Sequence, residues 1–256
     1  MIARVLFLHA LRDFLRFRRV LAWVLVIAGV AVAGWVWAGL MGEMAPTDVY
    51  ARLSSILTFR VLPLAAAVFA TAVVGQEVEQ KTIVYLLTRP VGRPTLLLSR
   101  AAAATVVVFA IGAACALTVA AAAGFRSGVA GSLGQDLVAL AVGSLAYVSL
   151  FLVVSLLLNR AMVVCLLYAF GWETSVGNMP GDLYHLAVSS YLSAIGSKPA
   201  PTSGNPMLDL LSGQLGLNLI TPQRAWTVLA VLIVVCLVFG TRWFATHEYV
   251  PREDAE

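Results

Sequence analysis

The sequence predicts an all-α fold: a polytopic membrane protein with six transmembrane helices, an amphipathic interfacial helix at its start, a short charged cytoplasmic helix between spans two and three, and short outer-leaflet helices between spans five and six. Three observations predict it. Mean hydropathy is +0.91, and 61% of the 256 residues are hydrophobic against 12% charged, about half the charged share of a soluble domain. Apolar runs recur at the length a helix needs to cross a bilayer, about 20 residues at 1.5 Å each through about 30 Å of hydrocarbon. Lysine and arginine collect on alternate connections, as they do on cytoplasmic loops. The whole chain, residues 1–256, reads as one transmembrane domain.

Residues 1–19 come first. Ala3, Leu6, Phe7, Ala10, Phe14, Phe17 and Leu21 recur at three- and four-residue spacing, while Arg4, Arg12, Arg16 and Arg19 take the other side. That pattern predicts a helix lying in the membrane surface with its arginines toward anionic headgroups; a simple basic anchor for the first span is the alternative. The stretch VAVAG (30–34) resembles a signal cleavage site, but the basic region before it is too long and the apolar run continues past a signal core. It is read as a retained span.

Spans are predicted at 20–40, 57–74, 101–123, 137–158, 161–177 and 225–245, the fifth being the shortest and containing Glu173. With both termini inside, the cytoplasmic side carries Arg4, Arg12, Arg16, Arg18, Arg19, Lys81, Arg89, Arg93, Arg100, Arg160, Arg242 and Arg252. The outer side carries only Arg52, Arg60, Arg126, Lys198 and Arg224. In the third span Gly112, Ala116, Ala120 and Gly124 form a small-residue stripe at which another helix can approach closely. Such a stripe serves packing within one subunit as readily as between two.

Residues 75–100 interrupt the apolar pattern with GQEVEQKTIVYLLTRPVGRPTLLLSR. Thr82 can cap a short helix over 83–87, which must stop near Thr88 because Pro90 disfavours helical geometry at Arg89. Pro94 suits the first turn of the next helix. Residues 178–222 form the longest connection, on the outer side, and hold Pro180, Pro199, Pro201, Pro206 and Pro222. Within it Leu183, Ala187, Tyr191 and Ile195 repeat every four residues, which predicts one or two short amphipathic helices dipping into the outer leaflet.

Two charges fall inside spans. Glu173 lies 12 residues past Ala161, about 18 Å up a helix, and Arg60 lies 15 residues before Gly75, about 22 Å from the same inner face. Intramembrane charges find partners or line polar cavities, so the expectation is an Arg60–Glu173 ion pair or a shared outer mouth of a pathway. The alternative has Arg60 reaching outward while Glu173 caps a break in the fifth helix.

Other chemistry is excluded by spacing. Cys115, Cys165 and Cys236 each sit in an apolar run with no paired cysteine or nearby histidine, and His9, His185 and His247 are far apart, so no disulfide framework, metal site or catalytic site is expected. LSGQ (211–214) resembles a nucleotide-binding signature, but it falls in the predicted outer loop and no glycine-rich phosphate loop ending in Lys-Ser or Lys-Thr accompanies it.

The segment EVEQKTIVYLLTRPVGR (77–93), followed by YAFGWE (168–173), YHLAVSSYL (184–192) and the basic amphipathic start, resembles the permease subunits of ATP-binding-cassette transporters of the type-2 exporter family. Lys81 stands where many members have glycine. The resemblance implies a permease that works as a homodimer or heterodimer in a bacterial-type inner membrane. Each permease would be seated on a separate ATPase subunit that binds ATP and Mg; no cofactor is expected in this chain. It also implies that Glu77, Glu79, Lys81, Thr82, Arg89, Pro90 and Arg93 couple ATPase closure to the spans. Competing readings are an intramembrane enzyme, which requires convergent acid, base or nucleophile groups, and an ion-coupled carrier, which should show repeated halves. The sequence shows neither. Spans poor in fixed charge favour a lipid-like or amphipathic cargo over a small ion.

Overall fold

The computed structural model describes residues 2–40, 45–79, 92–124, 127–176, 182–196 and 220–246. Its elements are helical throughout these residues. The first two are α1 (Ile2–Phe14) and α2 (Phe17–Leu40). The next three, α3 (Pro46–Leu53), a π turn (Ser54–Thr58) and α4 (Phe59–Glu79), run on as one rod. Next come α5 (Arg93–Ala122), α6 (Ser127–Leu157) and a second π-interrupted rod built from α7 (Ala161–Leu167), Tyr168–Trp172 and α8 (Glu173–Val176). A 3₁₀ turn (Asp182–Leu186), α9 (Val188–Ile195) and α10 (Pro222–Thr246) complete the order.

Five of these helices are long and apolar enough to cross a membrane: Arg19–Leu40, Pro46–Val73, Pro94–Ala122, Gly128–Leu157 and Pro222–Thr246. The chain is a multi-pass membrane protein. The predicted fifth span is the shorter apolar helix Ala161–Val176, about 24 Å at 1.5 Å per residue, less than the thickness of the hydrocarbon. Spans two and four begin well before the apolar runs that mark them, at Pro46 and Gly128. Asp48, Arg52, Ser54 and Ser55 lower the hydropathy of the first extension; three glycines, Gln135 and Asp136 do so in the second.

Helices α4, α5 and α6 pack against one another at the centre, with α10 and α9 against α6 and with α1 and α2 against α5. Alanine and glycine make this close approach possible. Ala65, Ala66, Ala67, Ala70, Ala103, Ala104, Ala116 and Ala120 are all buried. In the small-residue stripe, a Cβ at Gly112 would stand 3.2 Å from Leu62 Cδ1 and 3.4 Å from Leu140 Cδ2, so the stripe serves packing inside the subunit. Gly124 instead ends α5 with φ +82°, a left-handed conformation glycine adopts without strain.

The tightest notch is Gly143 on α6, where a Cβ would meet Leu192 Cδ1 at 2.7 Å and Leu62 Cδ2 at 2.8 Å. Gly143→Ala should therefore cost about 1–3 kcal/mol of stability through overpacking. Gly131→Ala on the same helix, where nothing lies within 4 Å, should be neutral. Thermal unfolding of the two purified variants in detergent checks the contrast; equal melting would contradict the notch.

The opening helix is amphipathic as its spacing predicts, but it is shorter and more firmly seated. Ala10 and Phe14 are buried, with Phe7 and Leu11 against the same core, and the Phe14 ring meets Phe69 edge-on at 5.6 Å. Arg4, Arg12 and Arg16 are exposed on the other side and Arg19 is half-buried. The helix breaks at Leu15–Arg16, so Phe17 and Leu21 belong to α2 and face outward. Asp13 sits 3.8 Å from His9 Nε2 and 3.3 Å from Arg16; exposed pairs of this kind contribute little.

Candidate functional site

Two buried carboxylates organise the half of the bundle that includes α9. The first is Glu173, which directly follows the π turn Tyr168–Trp172. A π turn holds one residue more than a regular turn and is common at functional positions; here it redirects the side chains that follow it. Thr174 donates its hydroxyl to the Phe170 carbonyl, which satisfies one acceptor at the irregular turn. Glu173 is buried and accepts the Val188 N–H at Oε1 and the Ser189 N–H at Oε2, each at 3.1 Å. These are amides of the first turn of α9, which no residue of their own helix can satisfy. A negative group there also complements the helix dipole.

The register of α9 shows how deep this contact lies. Leu192 fills the notch at Gly143, which is 14 residues before the end of α6 at Leu157, or about 21 Å of helix. The C-terminus of α9 approaches Asp136, since a Cβ on Gly196 would stand 2.9 Å from Asp136 Oδ1. Helix α9 therefore runs alongside α6 with its N-terminus toward the middle of the bundle and its C-terminus toward the Ser127 end of α6. Backbone at that depth must find partners in protein, and Glu173 supplies them. The turn before α9 is stitched down as well. Tyr191 donates to the His185 carbonyl at 2.8 Å and Trp172 Nε1 to the Leu186 carbonyl at 3.4 Å, while Tyr184 and Ser193 share a 3.1 Å hydroxyl contact.

The second carboxylate is Asp136. It is fully buried and accepts the Tyr50 hydroxyl at 2.7 Å and the Ser54 hydroxyl at 2.6 Å, both at Oδ2. Ser54 opens the π turn between α3 and α4. Asp136 thus fastens α6 to the irregular part of its neighbour. Each π turn has a buried carboxylate beside it, and the two carboxylates bracket α9 at its opposite ends. Short charge-assisted bonds of this kind are strong where water is excluded.

The expected Arg60–Glu173 ion pair does not form. Arg60 is exposed, and both oxygens of Glu173 are taken by α9 amides. Among the described residues the ion pairs are those of Asp13 on α1. A carboxylate at a helix N-terminus gains two aligned backbone donors at fixed distance. Cys115 and Cys165 are buried packing residues, and no cysteine is paired.

Of the loop residues singled out by sequence, Glu77 and Glu79 lie on the last turns of α4 and Arg93 begins α5. Lys81, Thr82, Arg89 and Pro90, with the expected helix over 83–87, lie outside the described residues. The stems of the loop are tied together: Arg100 on α5 donates to the Val73 carbonyl on α4 at 3.3 Å. Sequence reasoning missed Asp136, Tyr50 and Ser54, and with them a second intramembrane carboxylate.

The family model described as ABC-2 family transporter protein matches residues 13–172. The chain belongs to this family. Residues 13–172 take in most of the bundle from the end of α1 to the π turn before Glu173. The chain is accordingly an ABC transporter permease, the membrane component of such a transporter. Comparison with curated proteins gives no match. The second buried carboxylate does not revive the intramembrane-enzyme reading for this permease. Asp136 and Glu173 stand at opposite ends of α9, an eight-residue helix about 12 Å long, and each is committed to hydrogen bonds rather than converging on a common point.

Proposed function

We propose that this ABC-2 permease is half of an exporter pathway, coupled through residues 75–100 to a separate ATPase subunit that binds ATP and Mg. Membership of the ABC-2 family over residues 13–172 carries this reading, because the matched segment includes that whole connection. The arrangement of the stems supports it. Helix α5 has 30 residues, about 45 Å at 1.5 Å each, and so extends beyond the hydrocarbon. With Arg100 bonded to the Val73 carbonyl, a push on the loop reaches two central helices at once. In this reading Glu77, Glu79, Lys81, Thr82, Arg89, Pro90 and Arg93 form the surface that the ATPase meets, and both termini lie in the cytoplasm beneath an inner membrane.

Two copies, or this chain and a paralogue, complete the pathway. Support comes from α2, the least buried of the long helices, which carries a shallow apolar groove along Ala28, Gly29, Val32, Ala33 and Val36. Small residues at such a face allow close helix approach in lipid. The central helices present few fixed charges, which favours a lipid-like or amphipathic cargo. Purification from native membranes should bring down an ATP-hydrolysing subunit whose turnover rises with added amphiphile. A permease that purifies without any such subunit would contradict the reading.

A further inference from the structure

We propose that Arg60 and Arg52, both exposed on the rod of α3, the π turn and α4, form a two-step track for the anionic head, a phosphate or a carboxylate, of an amphiphilic cargo. Arg60 holds the head in mid-membrane and Arg52 receives it two turns nearer the outer side. This deepens the reading of the chain as an ATP-driven exporter and rests on it.

Two measures put Arg60 in the middle of the hydrocarbon. In the apolar span Pro46–Val73 it stands 14 residues from the start and 13 from the end, about 20 Å of helix either way. Leu62, two residues on, stands against Gly143, which lies 15 residues after the start and 14 before the end of the span Gly128–Leu157. Arginines near helix ends reach the interface, but one at this depth does not. Arg60 is nevertheless exposed, and its side chain makes no hydrogen bond or ion pair with any described residue. A charge so deep is costly against acyl chains and belongs in a bundle interior or a water-filled cavity. Its exposure on the single chain marks the face along which the pathway runs, between this permease and the second permease subunit.

The π turn brings another arginine onto that face. Arg52 lies eight residues before Arg60, more than the roughly 7.2 residues of two regular turns. The π turn Ser54–Thr58 between them takes up about one residue. The two arginines therefore stand nearly in line, about 12 Å apart along the axis. Arg52 is exposed as well, and Asp48, one turn further out, forms no ion pair with it. Ile56, midway between them, is also exposed, and Leu57, Leu64 and Val68 are half-buried. A guanidinium fork matches phosphate or carboxylate oxygens two at a time. One such fork amid apolar side chains fits a molecule with one anionic head and an apolar tail. Two successive sites let the head leave as well as enter.

The test uses three fluorescent single-chain probes that share one acyl chain and carry a phosphate, a carboxylate or a phosphocholine head. Binding is measured to the full permease in phosphatidylcholine nanodiscs, and ATP-driven transfer to the permease–ATPase complex in phosphatidylcholine vesicles. An anionic head should bind roughly tenfold tighter than phosphocholine, the worth of one charge-assisted contact. Arg60→Gln should abolish that preference while leaving phosphocholine binding unchanged, and Arg60→Lys should restore part of it. Arg52→Gln should leave binding in place and slow transfer roughly threefold or more. Inorganic phosphate should displace the phosphate-headed probe only in large excess. Equal binding of all three heads, or a preference that survives Arg60→Gln, would overturn the proposal. Displacement by inorganic phosphate at equal concentration would overturn the amphiphile, and transfer unchanged in Arg52→Gln would overturn the second step. Should Arg60→Gln fail to fold, seen as a lower melting temperature, Arg60→Lys decides: loss of the fork should still weaken the preference, and no change would overturn the site. Binding that follows Arg60 without any ATP-driven transfer in the parent would uphold the anion site and locate the failure in the exporter reading.

Discussion

Asp136→Ala should lower the stability of the purified permease by about 2–6 kcal/mol, since it removes the acceptor of two buried hydroxyls at about 1–3 kcal/mol each. Tyr50 and Ser54 are both fully buried and both donate to Asp136 Oδ2. Neither can turn to water once the acceptor is gone. The effect should also be local to the junction of α6 with the π turn, because Ser54 opens that turn. Asp136→Asn keeps an acceptor oxygen and should cost less. Tyr50→Phe removes one donor without leaving it orphaned, so its cost on top of Asp136→Ala should be small. A double-mutant cycle on thermal unfolding in detergent should therefore give a coupling of about 1–3 kcal/mol, the range for residues in one hydrogen-bond network. Additive costs would show that the two groups do not share the contact.

Reversing a charge in the connection between spans two and three should have the larger effect on function. Arg89→Glu, or Glu77→Arg, should cut cargo-stimulated ATP turnover of the reconstituted complex at least tenfold while leaving the permease as stable as the parent. The stability half of this expectation follows from the sequence: both residues belong to the polar connection between two apolar runs, and substitutions away from packed or paired groups usually move stability by less than about 0.5 kcal/mol. The functional half follows from electrostatics, since a misplaced like charge in a protein interface costs several kcal/mol and suppresses pairing. Turnover and assembly indistinguishable from the parent would remove both residues from the coupling surface.

The all-helical membrane class was legible because it rests on composition, and composition does not depend on packing. The amphipathic start was legible for a related reason, through the spacing of Phe7, Ala10 and Phe14. The short helices after the fifth apolar run showed in the repeat of Leu183, Ala187, Tyr191 and Ile195, and the structure has a 3₁₀ turn and α9 in that stretch. What the repeat could not say is that α9 lies beside Gly143. That depends on a contact between residues nearly fifty positions apart. Hydropathy also set spans two and four too short, because it counts Asp48, Arg52, Gln135 and Asp136 as boundaries when they lie within continuous helix.

Matching depths brought Arg60 and Glu173 together in the sequence, and depth alone is not proximity. Two residues at one level of a bundle share a contact only if their helices face each other at that point. The π turn before Glu173 sets where its side chain goes, and no pattern of apolar residues announces such a turn. A usable signal for Asp136 does exist: it is a lone acid in a helix otherwise built mainly of glycine, serine and apolar residues. It falls just before the apolar run that hydropathy picks out.

The central claim is that residues 75–100 meet a motor. A photo-crosslinking residue in place of Ile83 in the intact membrane complex tests it most directly. The account predicts one dominant crosslink, to a subunit that binds ATP, stronger or weaker according to the nucleotide supplied. Crosslinking only to lipid or to a second permease, unchanged by nucleotide, would contradict it.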